Sequence, residues 1–123
     1  MNLQNKQQML DVIERFYEMW TTGDMSGIDT IVAPDYEQVP SQQAQPGRET
    51  FPDIIKGFRM AFPDLNANIT HLLVDGDLVQ IRGEWTGTHL GEMSGMPPTG
   101  KKASFVAFDL HRVENGDIVK SGV

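Results

Sequence analysis

Leu3, Leu10, Ile13, Phe16, Tyr17 and Trp20 recur at spacings of one, three, four or seven over residues 3–21. That spacing gathers them on one side of a helix. Gly23 ends the pattern, and Asp24 can cap a short second helix over 25–32, MSGIDTIV, which Pro34 stops. The following stretch, DYEQVPSQQAQPG, is rich in glutamine and proline and reads as a loop. Thr50 is expected as the N-cap of a third helix, with Pro52 tolerated in its first turn. Ile54, Ile55, Phe58 and Phe62 form the apolar side of that helix, and Pro63 marks its end.

The period then changes from helical to alternating. LNANITHLLV reads as a strand, and Asp75-Gly76-Asp77 as a tight turn into LVQIRGEWTGTH. One face of that second strand carries Val79, Ile81, Gly83, Trp85, Gly87 and His89; the other carries Gln80, Arg82, Glu84, Thr86 and Thr88. A connection of roughly a dozen residues follows, far longer than a plain hairpin needs. ASFVAFDLHRV is the next strand, with Phe105, Ala107, Asp109 and His111 on one face and Val106, Phe108 and Leu110 on the other. Glu114-Asn115-Gly116-Asp117 forms another hairpin turn, and IVKSGV begins a last strand. Helices first and antiparallel strands afterwards imply an α+β fold, with three N-terminal helices on one face of a curved, mainly antiparallel sheet. Such a stack would enclose a pocket. The opposite face, Val106, Phe108 and Leu110, also needs covering, so a homodimer through the sheet is expected.

Composition narrows the function. The 123 residues fit one domain, residues 1–123. Cysteine is absent, which excludes disulfides and thiolate metal sites. A net charge of −7 opposes nucleic-acid binding and docking on anionic membranes. No apolar run approaches the roughly 20 residues of a membrane span, and MNLQNKQQML lacks the apolar core of a signal peptide. A cytoplasmic protein is the expectation. The scattered histidines form no His-x-His or His-Glu-x-x-His pattern, so no metal is expected. There is also no phosphate-cradling glycine motif and no nucleophile elbow.

The remaining chemistry lies on the two central strands. A carboxylate in an apolar cavity can exchange a proton near neutral pH, because desolvation disfavours its charged form. Asp109 is the candidate, since its neighbours along the face are apolar or histidine. His89, at the start of the long connection, is the second candidate for proton transfer. The alternative for Asp109 is a purely structural hydrogen bond to a neighbouring strand or a buried water. His111 lies on the Asp109 face but next to a turn, where a structural histidine is the competing reading; His71 is read as structural. Tyr17, Trp20, Tyr36, Phe58, Trp85 and Phe105 are candidates to line a cavity for an apolar small molecule, against the plainer reading of ordinary core.

The strings GTHLGEMSGMPPTGK and ASFVAFDLHRVENGDIV, with AFPDL, VDGDLVQIRGEWTGTH and YEMWTTGDMSGIDTIVAPDY upstream, resemble the SnoaL-like polyketide cyclase (ester cyclase) family over essentially the whole chain. The resemblance implies the nuclear transport factor 2-like fold: a conical α+β barrel with a deep pocket, usually dimeric or higher. The histidine-bearing strand and the Gly-Met-Pro-Pro-Thr connection would then sit near the pocket mouth. It further implies cofactor- and metal-independent acid–base chemistry, an intramolecular aldol cyclisation or an isomerisation of an apolar carbonyl compound. The alternative is a non-catalytic small-molecule-binding protein of the same fold. Family members carry an acid–base aspartate on the last strand, a few residues after a Gly-x-Ile pattern. Here the pattern is Gly116-Asp117-Ile118, and a gapless carry-over lands on Val123, which cannot move a proton. The expectation is therefore a domain lacking the usual end of its last strand, or a member without that group. Asp109 would stand in for it, at a position where the family carries a pocket-facing polar residue.

Overall fold

The computed structural model describes residues 3–122 apart from 42 and 44, with side chains from residue 6 onward. Val123 lies outside the described residues. Helix α1, Leu3–Thr22, follows the apolar stripe seen in the sequence: Met9, Val12, Ile13, Phe16, Tyr17 and Met19 are all buried. It stops where expected. Gly23 adopts φ +78°, and its N–H bonds the carbonyl of Met19, the left-handed stop that glycine makes easily. Helix α2, Thr50–Ala61, carries buried Phe51 and Ile55 on its core side.

Among the described residues, five strands form one sheet in the order β1-β5-β4-β3-β2. They are β1 (Val32–Gln38), β2 (Asn66–Asp75), β3 (Leu78–Thr88), β4 (Lys102–Glu114) and β5 (Asp117–Ser121). All neighbours are antiparallel except β1 with β5, which run parallel. The turn from β4 to β5 has φ +54° at Asn115 and +81° at Gly116, the paired positive angles of a tight hairpin. The core lies between the sheet and α1, with Val79, Ile81, Val113 and Ile118 facing Ile13, Phe16 and Tyr17.

Three expectations are corrected. Among the described residues there are two α-helices, not three: the stretch 25–32 yields only a 3-10 turn, Ile28–Thr30, and then enters β1. A short apolar run does not by itself distinguish helix from strand, and a proline such as Pro34 signals a helix stop. In fact Pro34 is exposed within an edge strand, where its missing N–H breaks no ladder between two partners. The register of β1 also shifts between Val32 and Glu37, which frees the intervening residues from regular pairing. Thr50 is not the N-cap: Glu49 holds that position after a 3-10 turn at Gly47–Glu49, and Thr50 is the buried first residue of α2. Finally, the sheet does not close into a barrel. Strands β1 and β2 are free edges, and the helices cover only one face of a curved, open sheet.

Candidate functional site

A cavity of about 410 Å³ opens between the two helices and the concave face of the sheet. Helix α1 contributes Phe16, Tyr17 and Trp20; helix α2 contributes Thr50, Phe51, Ile54 and Phe58. Within each set the residues fall one turn apart, so each helix turns one stripe inward. Alternation in β4 brings Phe105, Ala107, Asp109 and His111 to the cavity in one row. Trp85 comes from β3, Tyr36 and Gln38 from β1, and Ser121 from β5.

The walls are aromatic. Trp85 and Phe105 are direct cross-strand partners, and their rings stack at 5.9 Å with planes 8° apart. Trp20 meets Trp85 edge-on at 5.3 Å, and Phe58 meets Trp20 at 5.8 Å. Among the lining residues, Asp109 is the single carboxylate, and no lysine or arginine accompanies it. The indole N–H groups of Trp20 and Trp85 are buried without a hydrogen-bond partner among the described residues.

The polar wall is a connected set. The Tyr17 hydroxyl donates to Asp109 Oδ2 at 2.7 Å and lies 2.7 Å from His111 Nε2. On its other side, His111 Nδ1 is 2.6 Å from Ser121 Oγ. His111 and Ser121 are register partners across β4 and β5, which places both side chains on one face. Burial pushes the Tyr17 hydroxyl far above its ordinary range, and the adjacent Asp109 charge adds to this. Desolvation lowers His111 to about 4 and outweighs the attraction of Asp109. Tyr36 is raised by burial, opposed in part by its hydrogen bond with Ser121. At neutral pH both phenols and the imidazole are thus uncharged.

Of the residues singled out in the sequence, Asp109, His111, Tyr17, Trp20, Tyr36, Phe58, Trp85 and Phe105 all meet at this cavity. His89 does not. Its ring is buried against Phe62, with centroids 5.5 Å apart, and its Nδ1 is 3.2 Å from Thr99 Oγ1. The His89 backbone also pairs with Lys101 and Gly100, closing the base of the long connection. Leu90 and Gly91 then donate to the carbonyl of Ala61 at the end of α2. The histidine at the mouth of the loop therefore anchors it and is not paired with Asp109. His71 is exposed on β2. Sequence reasoning missed Ser121, Gln38 and Phe51. Phe51 was legible one turn before Ile55 in α2, whereas Ser121 and Gln38 depend on strand pairing that no local pattern encodes. Among the described residues, no group of histidine and acidic side chains is arranged to hold a metal ion.

The family profile of the SnoaL-like polyketide cyclases matches residues 10–121. The chain belongs to that family. Solved structures with the same fold include a candidate polyketide cyclase from Bacillus cereus ATCC 10987, 28% identical, with TM-score 0.86 over 98% of this chain and 76% of that one. IdmH, a candidate polyketide cyclase from Streptomyces antibioticus, is 29% identical, with TM-score 0.79 over 93% of this chain and 88% of its own. TsrD from Streptomyces laurentii, 23% identical with TM-score 0.83 over 98% of this chain and 87% of that one, shares the fold. No curated protein matches the sequence. No helix among the described residues of this SnoaL-like chain is long and apolar enough to cross a membrane.

Proposed function

We propose that this SnoaL-like protein is a cofactor-independent cyclase or isomerase acting on a neutral, largely apolar carbonyl compound, with Asp109 as the proton acceptor and donor. The observation that carries the reading is the placement of Asp109: the one carboxylate lining an aromatic cavity, held by the Tyr17 hydroxyl at 2.7 Å. The absence of lysine and arginine from the lining disfavours anionic ligands, while ring faces on several sides suit a flat or bulky apolar one. The resemblance to candidate polyketide cyclases supports a carbonyl substrate.

In this reading Asp109 removes a proton from the carbon next to a carbonyl, leaving an enolate. The enolate carbon then attacks a second carbonyl of the same molecule, forming the ring bond and an alkoxide. Asp109 returns its proton to that alkoxide, so the carboxylate is regenerated and no external reactant is needed. In this reading Tyr36 and Gln38, which line the cavity, donate to carbonyl oxygens as negative charge develops. The aromatic walls exclude water from the enolate. The same reading includes a homodimer formed through the open face of the sheet, where Leu73, Val106 and Phe108 are exposed.

A second reading, a binding protein without turnover, is favoured by the position of His89, which leaves Asp109 without the expected partner across the cavity. One experiment separates the two. The α-protons of 2-tetralone exchange in D₂O, and NMR follows the rate with and without protein. The protein has two tryptophans, Trp20 and Trp85, and both line the cavity, so intrinsic fluorescence reports occupancy independently. Accelerated exchange that drops by about 10²- to 10⁴-fold in Asp109→Asn is expected of the enzyme. Fluorescence quenching without accelerated exchange would leave only the binding protein.

A further inference from the structure

The Tyr17 hydroxyl has one proton and two close partners, Asp109 Oδ2 and His111 Nε2, each at 2.7 Å. An ionised carboxylate only accepts, so that proton belongs to Asp109. His111 Nε2 must then be the donor to the Tyr17 oxygen. A neutral imidazole has a single N–H, and burial keeps His111 neutral, with its pKa near 4. Nδ1 is therefore bare and accepts from the Ser121 hydroxyl at 2.6 Å. Every proton in the series Ser121, His111, Tyr17 thus points toward Asp109.

That common direction has a chemical consequence. An N–H donated to the Tyr17 oxygen polarises the phenol and strengthens its own donation onward. It also removes the freedom of the hydroxyl to rotate toward a ligand. Oδ2 of Asp109 is committed to Tyr17, while among the described residues Oδ1 accepts no hydrogen bond. We propose that His111 is a positioning residue: locked by Ser121 as the Nε2–H tautomer, it fixes the Tyr17 hydroxyl on Asp109 and leaves one defined carboxylate oxygen to take the ligand's proton. The proposal rests on the reading of Asp109 as the proton acceptor. The ionisable groups facing His111 are Tyr17 from α1, Asp109 from its own strand and, through Ser121, Tyr36 from β1. No lysine or arginine lines that wall to reverse the order of donation.

Two measurements test it on the full chain. The first is the tautomer itself, read from ring ¹⁵N chemical shifts in long-range ¹H–¹⁵N spectra at neutral pH. The three histidines are told apart by the signals lost in His111→Gln. A protonated Nε2 with a bare Nδ1 is expected. A protonated Nδ1, or an imidazolium, would overturn the proposal whatever the protein catalyses. The second is Ser121→Ala, which removes the donor to Nδ1. The tautomers of His111 are expected to become mixed, and Ser121→Thr to restore a single one. For 2-tetralone exchange, kcat falls about tenfold with KM held within about twofold. An unaltered tautomer, or an unaltered kcat, in a folded Ser121→Ala would overturn the positioning role. If Asp109→Asn leaves exchange intact, the functional reading fails by itself, and the tautomer result still decides the direction of the chain.

Discussion

At the scale of single residues, the polar wall sets how the protein responds to pH. His111 is 2% exposed and held neutral by burial, with its pKa lowered from an ordinary 6.5 to about 4. Between those values the unfolded chain binds a proton that the folded one does not. Stability contributed by this residue is therefore complete above pH 6.5 and is lost progressively as pH falls toward about 4. Thermal unfolding at stepped pH should show the midpoint falling across that window, with a flatter dependence in His111→Gln, which cannot take up the proton. Asp109 and His111 were legible as one row because alternation along β4 is a local property. Tyr17 was legible as part of a helical stripe. That the three would touch was not legible, because α1 and β4 lie ninety-odd positions apart in the chain.

At the scale of elements, the helices differ in how well each residue suits its place. Gly57 sits exposed within α2, and a Cβ there would meet nothing within 4 Å. Glycine costs backbone entropy in a helix without using its freedom. Gly57→Ala should therefore stabilise the protein by about 0.5–1 kcal/mol in urea unfolding. Arg59 acts in the opposite sense. Its guanidinium bonds the carbonyls of Trp20 at 3.1 Å and Thr21 at 2.5 Å, at the end of α1, and that of Pro63 at 3.0 Å, beyond α2. The last carbonyls of a helix have no partner within it, and a cation there also suits the helix dipole. Arg59→Met keeps the apolar stem and loses those bonds; a loss of about 1–3 kcal/mol is expected by the same assay. The element that sequence reading mistook, β1, shows where local pattern fails. Ile31, Val32 and Ala33 are all buried, so their polarity carries no period, and Pro34 signals a stop except on a sheet edge.

At the scale of the whole molecule, the two faces of the sheet part company. One is covered by the helices and holds the cavity; the other leaves Phe108 67% and Leu73 69% exposed. Arg82 and Glu84 pair with each other at 3.0 Å on that open face, so neither is an isolated charge there. If two copies meet there, sedimentation velocity should find a dimer for the natural sequence and a monomer for Phe108→Glu. Tryptophan fluorescence and its quenching by 2-tetralone should be unchanged in that variant, since Phe108 is not among the cavity's lining residues. The sequence by itself determined the periods: a helical stripe in α1, another in α2, and alternation in β3 and β4 that sorted Trp85, Asp109 and His111 inward. Those are properties of residues a few positions apart. Tertiary structure alone decided that His111 lies opposite Ser121, that Pro34 falls on an edge, that the sheet stays open, and that His89 packs on Phe62 away from Asp109. Strand register, edge position and helix placement arise from pairings across the chain, and no short-range pattern of apolar and polar residues encodes them.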